Sequence, residues 1–261
     1  MQTLPIFHRA YGDPQSSRTP VLLLHGLFGS SANWHGIAKH LAQERPVVSM
    51  DLRNHGRSPW DASMGYKEMA ADLGALLDSI GVERAVLVGH SMGGKAAMWL
   101  ALTQPDRVEA VVVADIAPVT YPGRFETIVD ALSRLELDGL GSRREAETRL
   151  EDRLPDPAVR AYLLQNLIKE GDGWRWRVNL ASLSRSIDQL MSFPRADGRQ
   201  YPGPALFVYG TDSDYVTGTQ LGAIRMLFPL ARLRAVSNAG HWVYADQPDA
   251  FVRAVKGFLR D

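Results

Sequence analysis

The chain has 261 residues, which is enough for one large or two small domains with a substantial buried core. Its 29 lysines and arginines equal its 29 aspartates and glutamates, so no net field favours nucleic acid or an acidic membrane as a partner. The chain has no cysteine, which excludes a disulfide, a thiolate metal site and a cysteine nucleophile.

The first residues, MQTLPIFHRAYGDP, lack the basic segment and apolar stretch of a secretory signal. Apolar runs elsewhere are all shorter than the roughly 18 residues that a membrane-spanning helix needs. These patterns predict a soluble, cytoplasmic protein with no membrane span.

Short apolar runs alternate with segments of helical periodicity. Between the apolar runs at 47–51 and 85–90, apolar residues repeat at helical spacing from Met69 to Ile80, and Gly81 can end that helix. Such alternation predicts an α/β fold with a mostly parallel central sheet and helices on both faces. The predicted strands are 21–26, 47–51, 85–90, 110–115, 205–210 and 231–236.

The alternation stops after Asp115. Residues 117–203 contain helical patterns such as FETIVDALSRLEL and PAVRAYLLQNLIKE, but no convincing buried strand. We therefore expect a core formed by residues 1–116 and 204–261, with residues 117–203 inserted as a helical cap.

Two motifs overlap in the stretch AVLVGHSMGGKAAMWLAL. Gly89, Ser91 and Gly93 fit G-x-S-x-G, in which a sharp turn between a strand and a helix exposes the serine hydroxyl. Gly89, Gly94 and Lys95 fit the start of a phosphate-binding loop, but Ala96 stands where a magnesium-ligating Ser or Thr is required. A tight turn without chemistry is the third interpretation. The serine motif is favoured because two distant segments supply what it needs.

Those two segments are HGLFGS (25–30) and NAGHWVYADQPDAF near the last helix. The first follows a predicted strand, where the backbone N–H of Leu27 can form an oxyanion hole with the N–H of Met92. His25 in this turn is interpreted as structural. The second segment places His241 after the last strand, where a general base for Ser91 is required.

Together these residues resemble the α/β-hydrolase superfamily over nearly the whole chain. DLRNHGRS (51–58), GHSMGGKAAM and DIAPV (115–119) are similar to a branch of small, cap-bearing acyl esterases and thioesterases among the abhydrolase-domain proteins. The resemblance implies that Ser91 is the nucleophile and that His241 acts as general base and then as general acid. It also implies a carboxylate that orients His241.

The superfamily usually places this acid after the penultimate strand, three residues before a valine. Counting back from Val216 in TDSDYV gives Ser213, with Asp212 and Asp214 one residue out of register on either side. Some members of the superfamily carry the acid after the preceding strand, where Asp115 lies. Asp115 is therefore the favoured catalytic acid, although an aspartate at the end of a strand can also cap a turn.

Several aromatic residues are candidates for an acyl pocket, but simple packing explains them equally well. They are Tyr215, Trp242, Trp174 and Trp176. The remaining histidines have no metal-binding spacing, so we predict no metal site.

The sequence predicts a cofactor-independent serine hydrolase that cleaves a carboxylic ester or thioester through an acyl-enzyme. Its partner is a small-molecule substrate, and no nucleic acid is expected. The same residues also serve perhydrolases, lactonases and C–C hydrolases, which are the enzymatic alternatives. A ligand-binding receptor or scaffold that retains the triad is the non-enzymatic one.

Overall fold

The computed structural model describes residues 2–121, 123 and 125–260. The strands of this part of the chain are β1 (His8–Tyr11), β2 (Val21–Leu24), β3 (Val47–Met50), β4 (Ala85–His90), β5 (Val108–Ala114), β6 (Leu167–Glu170), β7 (Gly173–Trp176), β8 (Ala205–Gly210) and β9 (Ala231–Val236).

Helices connect these strands, together with short 3-10 turns at Ser31–Trp34 and Pro105–Arg107. Among the residues that the structure describes, no helix is both long and apolar enough to span a bilayer. The helices are α1 (His35–Leu41), α2 (Tyr66–Ser79), α3 (Met92–Thr103), α4 (Glu126–Ser133), α5 (Arg143–Leu150), α6 (Pro157–Leu164), α7 (Leu180–Met191), α8 (Leu221–Leu227), α9 (Val243–Asp246) and α10 (Pro248–Phe258).

Seven strands form the central sheet in the order β1-β3-β2-β4-β5-β8-β9. All neighbours pair in parallel except β1, which runs antiparallel to β3. The predicted α/β fold with a mostly parallel sheet is therefore confirmed, and each of the six predicted strands forms. The edge strand β1 was not predicted because its residues HRAY are mostly exposed and form no apolar run.

The central strands are apolar on both faces because helices cover both sides of the sheet. Leu22 and Leu24 of β2 pack into a cluster with α2 and α3, whereas Val21 and Leu23 pack against α1 and α10. Alternate side chains of a strand point to opposite faces, so one continuous apolar run fills two cores. The two layers hold the carboxyl ends of the parallel strands at one edge.

Residues 117–203 lie between β5 and β8 and contain α4 to α7. They also contain a hairpin, because β6 pairs antiparallel with β7. The helical pattern predicted for PAVRAYLLQNLIKE is wrong at Leu167–Glu170, although neither strand of the hairpin is a buried one. Gly171, with φ 59°, provides the left-handed backbone that a two-residue turn needs, and the pairing of Leu167 with Trp176 joins two buried side chains.

Candidate active site

Ser91 lies between the end of β4 and the start of α3, with φ 51° and ψ −117°. This backbone is strained for a residue with a side chain, and such strain is concentrated at functional sites. The flanking glycines are required by close packing. A Cβ on Gly89 would lie 2.3 Å from the Gly93 oxygen, and one on Gly93 would lie 2.5 Å from the His25 oxygen.

Asp115 follows β5 and is fully buried. Its Oδ2 atom lies 2.8 Å from Nδ1 of His241 and also accepts a hydrogen bond from the Ser213 hydroxyl. Its Oδ1 atom accepts a bond from the Gly210 N–H at 3.2 Å. The carboxylate is thus held by three donors from two segments, and one of these donors is an imidazole.

The two acids of TDSDYV are exposed. Asp212 Oδ1 accepts a bond from the Thr211 hydroxyl at 3.2 Å, within its own turn. Ser213, at the usual acid position, bonds to Asp115 and also accepts from the N–H of Tyr215. The carboxylate that contacts His241 Nδ1 is therefore that of Asp115.

The His241 ring packs against two other aromatic rings. It stacks on Tyr215 with 3.9 Å between ring centroids, and the His90 ring lies 4.6 Å away. His90 Nε2 lies 2.8 Å from the His241 carbonyl oxygen, to which it donates as the neutral tautomer, and burial holds the pKa of His90 well below its usual value. Sequence reasoning missed His90, although its place directly before Ser91 was a signal.

Leu27 and Met92 border the serine from two different segments. Both line a narrow cavity beside Ser91. Met92 is the first residue of α3, so its N–H has no partner within the helix. The backbone of Leu27 is held from the other side, because Tyr162 donates its hydroxyl to the Leu27 oxygen at 2.9 Å.

A pair of buried histidines holds the loop that contains Leu27. His25 Nε2 accepts from the Leu52 N–H at 2.9 Å, and His55 Nε2 accepts from the Phe28 N–H at 3.1 Å. Burial lowers the pKa of His25 and lowers the pKa of His55 to about 3, so both rings are neutral acceptors. Each has a backbone role, as the sequence interpretation of His25 expects.

A cavity of about 210 Å³ opens at Ser91 and His241. Its walls are almost entirely apolar and aromatic, which suits a hydrocarbon chain. Tyr215 and Trp242 line it, and so do five residues of the 117–203 segment: Phe125, Ile128, Val159, Tyr162 and Leu163. Three of these five lie on one face of α6 at helical spacing, a signal that the sequence carried.

Trp174 and Trp176 do not line the cavities that border Ser91, so the prediction that they do is corrected. Both belong to β7. Trp174 donates its Nε1–H to the Leu140 oxygen at 2.7 Å, and Trp176 is packed into the apolar core. These aromatic rings anchor the hairpin against its own neighbours.

The comparisons with known proteins agree with this geometry. Residues 19–248 match the model of the alpha/beta hydrolase fold family. The sn-1-specific diacylglycerol lipase ABHD11 of Mus musculus is 40% identical, over 99% of this chain and 86% of the relative. Esterase YbfF of Escherichia coli is 36% identical, over 95% of each protein. A solved marine microorganism esterase superposes with a TM-score of 0.93 at 37% identity, covering 98% of this chain and 100% of that one.

The chain belongs to the α/β-hydrolase fold family. Within it, the relatives named as esterases and lipases match along almost the whole chain. The chain is a carboxylic ester hydrolase, and its substrates are small-molecule esters.

Proposed function

We propose that Ser91, His241 and Asp115 form the catalytic triad, with the N–H groups of Leu27 and Met92 as the oxyanion hole. The hydrogen bond to buried Asp115 from His241, which lines the same cavity as Ser91, is the observation that carries this proposal. Asp115 holds the Nδ1–H tautomer, which leaves Nε2 of His241 as the base.

Catalysis proceeds in two halves. Ser91 Oγ attacks the acyl carbonyl as His241 Nε2 takes its proton, and the oxyanion is stabilised by the two backbone N–H groups. Collapse of this intermediate expels the alcohol, to which His241 returns the proton. Water, deprotonated by His241, then attacks the acyl-enzyme, and the carboxylic acid leaves as Ser91 regains its hydrogen.

The preferred substrates are fatty acyl esters, with the acyl chain in the cavity of about 210 Å³. The apolar walls support this choice, as does the diacylglycerol lipase name of the mouse relative. Residues 117–203 act as a cap that supplies five of the lining residues. A cytoplasmic location and the absence of a nucleic-acid partner stay predictions from composition.

A series of p-nitrophenyl esters from acetyl to dodecanoyl tests the proposal. Each methylene that the cavity buries contributes roughly 0.8 kcal/mol, so kcat/KM rises about fourfold per carbon until the cavity is full. Hydrolysis of the sn-1 ester of a diacylglycerol, and of acyl-CoA thioesters with the same chains, is measured in parallel. Ser91→Ala is the blank. A rate that is highest with acetyl and falls with chain length contradicts the fatty acyl assignment.

A further inference from the structure

Lys95 is a buried charge that the proposed mechanism does not use. It lies on α3, one turn after Ser91, and is only 2% exposed. Lysine is almost never buried without partners, because removing an ammonium from water is costly. Its surroundings therefore require an explanation beyond the phosphate-loop interpretation, for which Ala96 is unsuitable.

Two backbone carbonyls and two aromatic rings surround the Lys95 ammonium. Nζ donates to the Met191 oxygen at 2.9 Å and to the Ser192 oxygen at 2.7 Å, at the carboxyl end of α7. Carbonyls there lack helical partners and carry the negative end of the helix dipole. The rings of Tyr66 and Tyr121 lie 5.7 and 5.0 Å from Nζ. Burial nevertheless lowers the pKa of Lys95 to about 7.

An ammonium has three N–H donors, and the two carbonyls account for two of them. Lys95 also lines the narrow cavity beside Ser91, whose volume is about 20 Å³. A cavity of that size holds one water-sized group. This cavity and the larger apolar one share Ser91 and Leu27, so they meet at the proposed nucleophile.

We propose that the narrow cavity is a subsite for the alcohol part of the ester, in which Lys95 donates a hydrogen bond to a hydroxyl group on that alcohol. This inference rests on the proposed function, since an acyl chain in the apolar cavity leaves the narrow one to the alcohol. A hydroxyl at this place accepts the third N–H of Lys95. A methyl group there cannot accept it, and leaves the N–H unpaired in a desolvated site.

Two esters of one fatty acid test the subsite. In 2-hydroxyethyl octanoate, a hydroxyl replaces the terminal methyl of n-propyl octanoate, with little change in size. At pH 6, below the pKa of Lys95, we expect wild-type kcat/KM to favour the hydroxyethyl ester by about tenfold, the effect of one hydrogen bond from a charged donor. Lys95→Met should bring the ratio close to one, and comparison of the two proteins cancels any intrinsic difference in reactivity.

Lys67→Met is the matched control, because Lys67 is exposed on α2 and should leave the ratio unchanged. If Lys95→Met fails to fold by circular dichroism, Lys95→Gln replaces it, since its amide offers two N–H groups to the carbonyls but no third donor. A wild-type ratio near one overturns the subsite, and so does an unchanged ratio in the folded variant. Absence of turnover with both esters overturns the proposed function as well.

Discussion

At the scale of single residues, the contact between Asp115 and His241 supports Asp115 as the proposed catalytic acid. The sequence predicted Asp115 from its place after a buried strand, but it could not predict that Ser213 would bond to the same oxygen. That bond joins residues 98 positions apart, through the pairing of β5 with β8. In the proposed triad, TDSDYV therefore supports the carboxylate of Asp115 through Ser213.

Asp115→Asn should preserve the fold and reduce kcat by about 10⁴-fold, because the amide stabilises the wrong tautomer of His241. Steady-state hydrolysis of p-nitrophenyl butyrate measures this loss, with circular dichroism to check folding. Asp212→Asn is the matched control, since Asp212 is exposed and its carboxylate accepts from Thr211. A large loss in Asp212→Asn with near-normal Asp115→Asn would return the catalytic acid to TDSDYV.

At the scale of elements, apolar runs were the reliable signal. Every predicted strand forms, although the edge strand β9 is largely exposed. Helix α2 ends before Gly81, as its periodicity predicted. The hairpin β6-β7 was missed because LIKE continues the helical pattern of PAVRAYLLQN. The pair Gly171-Asp172 was the turn signal that outweighs that pattern.

The two tryptophans of β7 show the limit of composition at this scale. Aromatic residues in the 117–203 segment are equally suited to a pocket wall and to local packing, and only the hairpin register separates the two. The true lining residues on α6 follow an apolar spacing that is common to every amphipathic helix. Their orientation toward Ser91 depends on the docking of the whole segment, which no local pattern encodes.

At the scale of the whole molecule, the sheet brings the site together. Parallel strands end at one edge, so the loops after β2, β4, β5 and β9 carry Leu27, Ser91, Asp115 and His241 to the same place. Ligands bind at this edge in open α/β sheets. The sequence could predict this gathering from strand order, but the cavity volumes follow from packing between distant segments.

The buried neutral histidines make stability depend on pH. They are His25, His55 and His90, and burial lowers the pKa of each. Above about pH 6.5 these histidines are neutral in both the folded and the unfolded chain. Below it they bind protons in the unfolded chain but stay neutral in the folded one. The free energy of unfolding therefore decreases as the pH is lowered below about 6.5. The contribution of His55 continues to decrease down to about pH 3.

Urea unfolding at pH 7.5 and pH 5 checks this behaviour. Through His55 alone, the wild type should lose about 2 kcal/mol between these conditions, at roughly 1.4 kcal/mol per pH unit below 6.5. In His55→Gln, the decrease in the free energy of unfolding between pH 7.5 and pH 5 should be smaller than in the wild type by about 2 kcal/mol, whatever the stability of the variant at pH 7.5. Exposed His40→Gln should keep the wild-type loss. Equal losses in wild type and His55→Gln would mean that His55 is not buried as a neutral ring.

The most direct test of Ser91 as the nucleophile is intact-mass analysis after reaction with a fluorophosphonate, which phosphonylates an activated serine hydroxyl. The strained turn places Ser91 at the cavity that His241 also lines, so the wild type should gain one phosphonyl group per chain. Ser91→Ala should gain none while remaining folded. Equal labelling of wild type and Ser91→Ala would contradict the assignment of Ser91 as the nucleophile, and with it the proposed triad.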